Sequence, residues 1–228
     1  MGSKVVFPSN GSTCEGYLAV PESGSGPGVI VIQEWWGLVG HITDVTDRFA
    51  EAGFVALAPD LYHGVETTEP DEAQRLLMGL AMDVAAADIS GAARYLKSLP
   101  SNSSEKVGTV GFCMGGSLAL WSATLAPQVA ATVAFYPGLP WERMAPKWQN
   151  YQGKHAMIHC SESDGTSSDP GIQLAKTSIE GAGGQVQLFD YPGTHHAFFN
   201  SDRPEVFDAA SSELAWDRTL EFFRTHLA

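Results

Sequence analysis

Hydrophobic and polar positions along this chain switch repeatedly between two periods. Val29-Ile30-Val31-Ile32 is a continuous β-branched run with no polar face. Such a run predicts a strand buried on both sides, as in a parallel sheet. A short strand is predicted before it, over 17–20, and Glu22-Ser23-Gly24-Ser25-Gly26-Pro27 reads as the turn between them. Over 43–52 the period becomes helical, with Val45, Phe49 and Ala52 at three- and four-residue steps and Gly53 as the stop. The alternation then continues. Strands are predicted over 54–58, 107–112, 129–136, 156–160 and 186–191, and helices over 72–82, 84–99, 115–125 and 172–180. A final helix is predicted over 207–227, with an apolar stripe of Phe207, Ala210, Leu214, Leu220, Phe223 and Leu227.

Strands alternating with helices predict an α/β architecture, a mostly parallel central sheet with helices on both faces. The pattern shows no repeat and no separating linker, so residues 1–228 are expected to form a single domain. In such sheets ligands bind beyond the carboxyl ends of the strands. That rule selects Glu34, Asp60, Cys113, Pro137, Asp164 and His196 as the positions that could carry chemistry.

Composition narrows the reading. A chain of 228 residues with 44% hydrophobic and 17% charged residues is neither collagen-like nor low-complexity nor disordered. Its formal net charge of -13 would repel a phosphate backbone, so no nucleic-acid partner is expected. No apolar run approaches the ~18 residues of a membrane span, and Met1-Gly2-Ser3-Lys4 leads into no apolar stretch, so neither a membrane partner nor a secretory signal is expected. Three cysteines, Cys14, Cys113 and Cys160, make no disulfide framework. A cytoplasmic monomer is the expected state.

The strongest local signal is Gly111-Phe112-Cys113-Met114-Gly115-Gly116, between a predicted strand and a predicted helix. It is a G-x-C-x-G pattern, the thiol form of a nucleophile elbow. The central residue of such a turn projects into the cleft, and glycines on either side let neighbouring backbone approach. The helix N-terminus points its positive dipole end at Cys113 and favours a thiolate. The plainer alternative is a buried apolar cysteine followed by a flexible Gly-Gly.

A thiol with pKa about 8.5 is only a few per cent thiolate at neutral pH and needs a base. Elbow hydrolases supply their parts in the order nucleophile, acid, base. Asp164 follows the 156–160 strand, with Glu162 and Asp169 as competitors. Asp169 precedes Pro170 and reads better as a helix N-cap. His195 and His196 follow the 186–191 strand, and adjacent loop residues usually point apart, so one of them at most is the base. His155 and His159 share a strand face, but no third ligand is evident and no metal is expected.

With these pieces in place the chain resembles the dienelactone hydrolase family of the α/β-hydrolase fold. The resemblance rests on Gln33-Glu34-Trp35-Trp36-Gly37, Pro59-Asp60-Leu61-Tyr62, the 111–116 elbow and Tyr191-Pro192-Gly193-Thr194-His195-His196-Ala197-Phe198. It implies a Cys-Asp-His triad of Cys113, Asp164 and His196, a supporting role for Glu34 near the thiol and no cofactor; the short 66–72 segment, a departure from the family pattern, predicts a small cap. An oxyanion hole would come from the backbone N–H groups of Trp35 and Met114. The implied activity is hydrolysis of an ester or lactone, a small-molecule substrate, through an acyl-enzyme thioester, as in carboxymethylenebutenolidase. Pocket candidates are Trp36, Tyr136, Trp141, Arg143, Phe198 and Arg203. Family members that open dienelactones hold the substrate carboxylate with arginines. Here the 66–72 segment is acidic, Arg75 lies on an amphipathic helix, and Asn200 stands where a closer arginine would serve. A broad esterase on neutral aryl or alkyl esters and a non-catalytic small-ligand-binding scaffold are the alternatives.

Overall fold

The computed structural model describes residues 1–9 and 11–228. In chain order the elements are β1 (Ser3–Ser9), β2 (Ser12–Ala19), β3 (Gly26–Ile32), α1 (Gly40–Glu51), β4 (Val55–Pro59), α2 (Pro70–Gly79), α3 (Met82–Ser98), β5 (Asn102–Phe112), α4 (Met114–Leu125), β6 (Val129–Phe135), β7 (His155–Ser161), α5 (Pro170–Gly181), β8 (Gln185–Tyr191) and α6 (Ala209–Leu227). One eight-stranded sheet runs in the order β1-β2-β4-β3-β5-β6-β7-β8. β2 is antiparallel to both β1 and β4, and every pairing from β4 onward is parallel. The expected mostly parallel sheet is therefore present, with an antiparallel edge. β1 is absent from the sequence reading. Its Pro8 removes a ladder donor, which an edge strand tolerates and a pattern search penalises. β2 begins earlier than the predicted 17–20, because the alternation of buried Cys14 and Gly16 with exposed Thr13 and Glu15 is masked by small residues.

The buried β3 explains the layering. Its Ile30 and Ile32 point to the face covered by α3, α4 and α5, while Val29 and Val31 point to the face covered by α1 and α6. Apolar residues on both faces leave the strand no solvent side, as the sequence implied. α4 is central to the first layer: every residue from Met114 to Thr124 is buried. α6 corrects the expected stripe. Phe207, Ala210 and Leu214 are exposed, and the helix packs through Ala215, Thr219, Leu220, Phe222, Phe223 and Leu227. Thr219 can face the core because its hydroxyl donates to the Ala215 carbonyl at 2.8 Å, a back-bond that hides a polar residue from a hydrophobicity pattern. No single helix is long and apolar enough to cross a membrane among the described residues.

Candidate active site

β5 ends at Phe112 and α4 begins at Met114, so Cys113 is the whole of the turn between them. Its φ of 55° and ψ of -117° lie where a side chain strains the backbone. Backbone bonds hold the strain. The Cys113 N–H donates to the Phe135 carbonyl at 3.0 Å, and its carbonyl accepts the N–H groups of Gly116 at 3.0 Å and Gly138 at 3.2 Å. A Cβ on Gly111 would overlap the Gly115 carbonyl, and one on Gly115 would overlap the Gln33 carbonyl. The turn therefore closes only with glycine at both places, which is the physical content of the G-x-C-x-G spacing.

Asp164 and His196 come from the loops after β7 and β8, and the two loops are laced together. The Ser163 N–H donates to the Thr194 carbonyl at 3.2 Å, the His196 N–H donates to Ser163 Oγ at 2.8 Å, and the Gly193 N–H donates to the Glu162 carboxylate. Glu162 is thus a loop tie, and Asp169 caps α5 by accepting from Gly171 N at 2.8 Å and Ile172 N at 3.1 Å. His196 Nδ1 sits 2.7 Å from Asp164 Oδ2, which also accepts from Ser161 Oγ at 2.5 Å. A carboxylate on Nδ1 leaves Nε2 as the nitrogen available to another partner. A Cβ built on Gly138 would lie 3.7 Å from both Cys113 Sγ and His196 Cε1, so thiol and imidazole border the same small volume. Burial opposes charge on His196, but the Asp164 hydrogen bond and the adjacent Cys113 thiol raise its pKa to about 10. Burial also opposes charge on Asp164, yet the His196 and Ser161 hydrogen bonds hold its carboxyl below the ordinary range. His195 is exposed and forms no hydrogen bond to Asp164 among the described residues.

Glu34 follows β3 directly and is 1% exposed. Its Oε2 accepts from Asn200 Nδ2 at 2.8 Å, while Oε1 has no hydrogen-bond partner among the described residues. Burial lifts its pKa to about 6 against the pull of Asn200 and His196. Tyr136 stands edge-on to His196, with ring centroids 5.0 Å apart. Neither the Trp35 nor the Met114 N–H donates to a protein acceptor among the described residues. Met114 opens α4, where the first amides have no acceptor inside the helix.

A cleft of about 640 Å³ opens beside these groups, bordered by Tyr136, Gly138, Trp141, Asp164 and His196. Several sequence candidates lie elsewhere. Phe198 is fully buried under Tyr136, at 5.4 Å between rings. Trp36 is half-buried edge-on to Trp35. Arg143 donates to the carbonyls of Leu77, Met78 and Leu80 at the end of α2. Arg203 donates to Glu205 at 3.0 Å. Asp60 folds its own loop by accepting from the N–H groups of Tyr62 and Gly64. His159 is a core histidine, its ring bonded to Tyr191 at 2.8 Å and Thr219 at 3.1 Å. Sequence reasoning missed Ser161 and Ser163, which bond the acid and the base loop, and placed Asn200 only where an arginine would serve, not as the partner of the buried glutamate. Short polar residues next to a candidate carboxylate or histidine were the only signal, and that signal is common in any loop.

Comparison with known proteins places the chain among relatives of similar length and fold. A protein of Aquifex pyrophilus named protein usf is 38% identical over the full length of both chains. A protein of Aquifex aeolicus that carries the provisional name carboxymethylenebutenolidase is 35% identical, again over all of both chains. Among solved structures, the dienelactone hydrolase of Anabaena variabilis superposes with a TM-score of 0.68 at 17% identity, covering 100% of this chain and 99% of that one. A dienelactone-hydrolase-like promiscuous phosphotriesterase from metagenomic libraries superposes with a TM-score of 0.85 at 21% identity, covering 100% and 99%. These superpositions establish the α/β-hydrolase fold. The model of the dienelactone hydrolase family matches residues 14–227, from the second strand of the sheet to the end of the last helix. By that match and by the two full-length relatives, the chain belongs to the dienelactone hydrolase family.

Proposed function

We propose that the chain is a carboxylic-ester or lactone hydrolase in which Cys113, His196 and Asp164 act as nucleophile, base and orienting acid. The observation that carries the reading is the 2.7 Å bond from His196 to Asp164 beside a thiol on a strained turn. Asp164 fixes the imidazole so that Nε2 takes the thiol proton. The thiolate attacks the ester carbonyl carbon, forming a C–S bond, and the oxygen gains charge against the Trp35 and Met114 N–H groups. The C–O bond then breaks, and the leaving alkoxide or enolate takes the proton from His196. Water attacks the thioester, gives a proton to His196 and releases the acid as the C–S bond breaks and the thiolate is reprotonated. Glu34, buried with its pKa raised to about 6 and coupled to His196 by charge, supports the state of the base. A thiolate leaves more readily than an unprotonated amine, so esters and lactones suit this centre better than amides.

Replacing the nucleophile tests the assignment. Cys113→Ala is expected to lower kcat/KM toward an aryl ester by roughly 10³-fold or more with the fold intact by circular dichroism. Unchanged turnover would remove Cys113 from the chemistry. No turnover by the wild-type protein on any ester or lactone would favour the non-catalytic scaffold.

A further inference from the structure

The cleft beside His196 is walled mainly by apolar groups, among them Leu139, Pro140, Trp141, Ile172 and Leu174. Its charged lining is Glu142, Asp164, Asp169 and His196, with no lysine or arginine among the described lining residues. Asp169 is engaged by the N-terminal amides of α5, and Asp164 by His196 and Ser161. Glu142 is exposed at the cleft and forms no ion pair among the described residues. The arginines that could offset it are held away. Arg143, its sequence neighbour, is turned onto the α2 carbonyls, Arg75 pairs with Glu72, and Arg203 donates to Glu205. In the reactive state a Cys113 thiolate and a His196 imidazolium would cancel, and the carboxylates of Asp164 and Glu142 would leave the cleft negative. An anionic substrate entering such a cleft meets like charge in a partly desolvated space, and no donor fork waits for its carboxylate.

We infer that this cleft selects esters or lactones that carry no anionic group, favouring a cationic body, then a neutral one, over a carboxylate-bearing one. The inference rests on the ester-hydrolase reading of the same centre and deepens it. It separates this chain from any hydrolase whose substrate is held by a carboxylate–arginine pair. Glu142 acts here as a specificity residue: it sets the field at the entrance and touches no reacting atom.

Three aryl esters of matched size test it, their acyl chains ending in a tert-butyl, a carboxylate or a trimethylammonium group, assayed at low ionic strength. The expected order of kcat/KM is trimethylammonium, then tert-butyl, then carboxylate, with the last at least roughly tenfold below the neutral ester. Added salt should compress the spread. Glu142→Gln should narrow the cation-to-anion ratio several-fold, and Glu142→Arg should narrow it further or invert it. A carboxylate ester turned over as well as the neutral one, or a ratio that Glu142→Arg leaves unmoved, would overturn the inference while leaving the hydrolase reading intact. No turnover of any of the three, or equal turnover by Cys113→Ala, would instead overturn the hydrolase reading and the inference with it.

Discussion

Glu34 sits in surroundings that conflict with its chemistry. It is a carboxylate at 1% exposure with one oxygen unpaired, and burial has raised its pKa from 4.5 to about 6. A carboxyl whose folded pKa is raised favours the folded state most when protonated. Its contribution is complete below about pH 4.5 and is lost as the pH rises through about 6. Above that pH the fold carries a buried charge at a cost of about 2 kcal/mol. Glu34→Gln keeps an oxygen for the Asn200 amide and removes the charge. It should therefore raise stability at pH 8 by up to about 2 kcal/mol and change nothing at pH 4, as read by denaturant titration at the two pH values. If the gain is the same at both, the cost is one of packing rather than charge. A stabilising substitution at this position would also fit a group kept for activity at the expense of stability.

At the scale of elements, the centre depends on how closely β5, the elbow and α4 are drawn together. Gly115 lies against the carbonyls of Ile32 and Gln33 at the end of β3, leaving no room for a methyl group. Gly115→Ala is expected to cost about 2–4 kcal/mol in thermal or denaturant unfolding, through displaced backbone rather than lost contacts. Full stability in that variant would mean that β3 and α4 are less tightly opposed than described. This close approach was legible in the sequence, because only a strand–turn–helix with glycines at fixed offsets places a side chain this way. The buried strand 29–32, the alternation of elements and the N-cap role of Asp169 were legible for similar reasons: each is written in local residue types. What was not legible depends on contacts between distant segments. The first half of the stripe expected over 207–227 is exposed, because the helix starts only at Ala209 and meets the core through Ser212, Ala215 and Thr219. Asn200, 166 residues from Glu34, is its hydrogen-bond partner, and nothing local to either residue indicates the pairing. Arg143 looked available to substrate from its position near Trp141, yet the carbonyls of Leu77, Met78 and Leu80 claim its guanidinium.

At the scale of the whole molecule, the sheet order gathers groups from four loops at one end: Glu34 after β3, Cys113 after β5, Asp164 after β7 and His196 after β8. The other two thiols lie in quite different settings. Cys14 and Cys160 are buried, and burial pushes Cys14 well up and Cys160 to about 12, so both should be inert. They serve as internal controls for the central claim, that sulfur of Cys113 becomes bonded to the acyl carbon during turnover. Rapid acid quench of the protein with an aryl ester, followed by intact-mass analysis and peptide mapping, reads that bond directly. The expected result is one acyl adduct on the Cys113 peptide, removed by hydroxylamine and absent from Cys113→Ala, with Cys14 and Cys160 unmodified. Steady turnover with the acyl group on another residue, and Cys113 free at every quench time, would contradict the account.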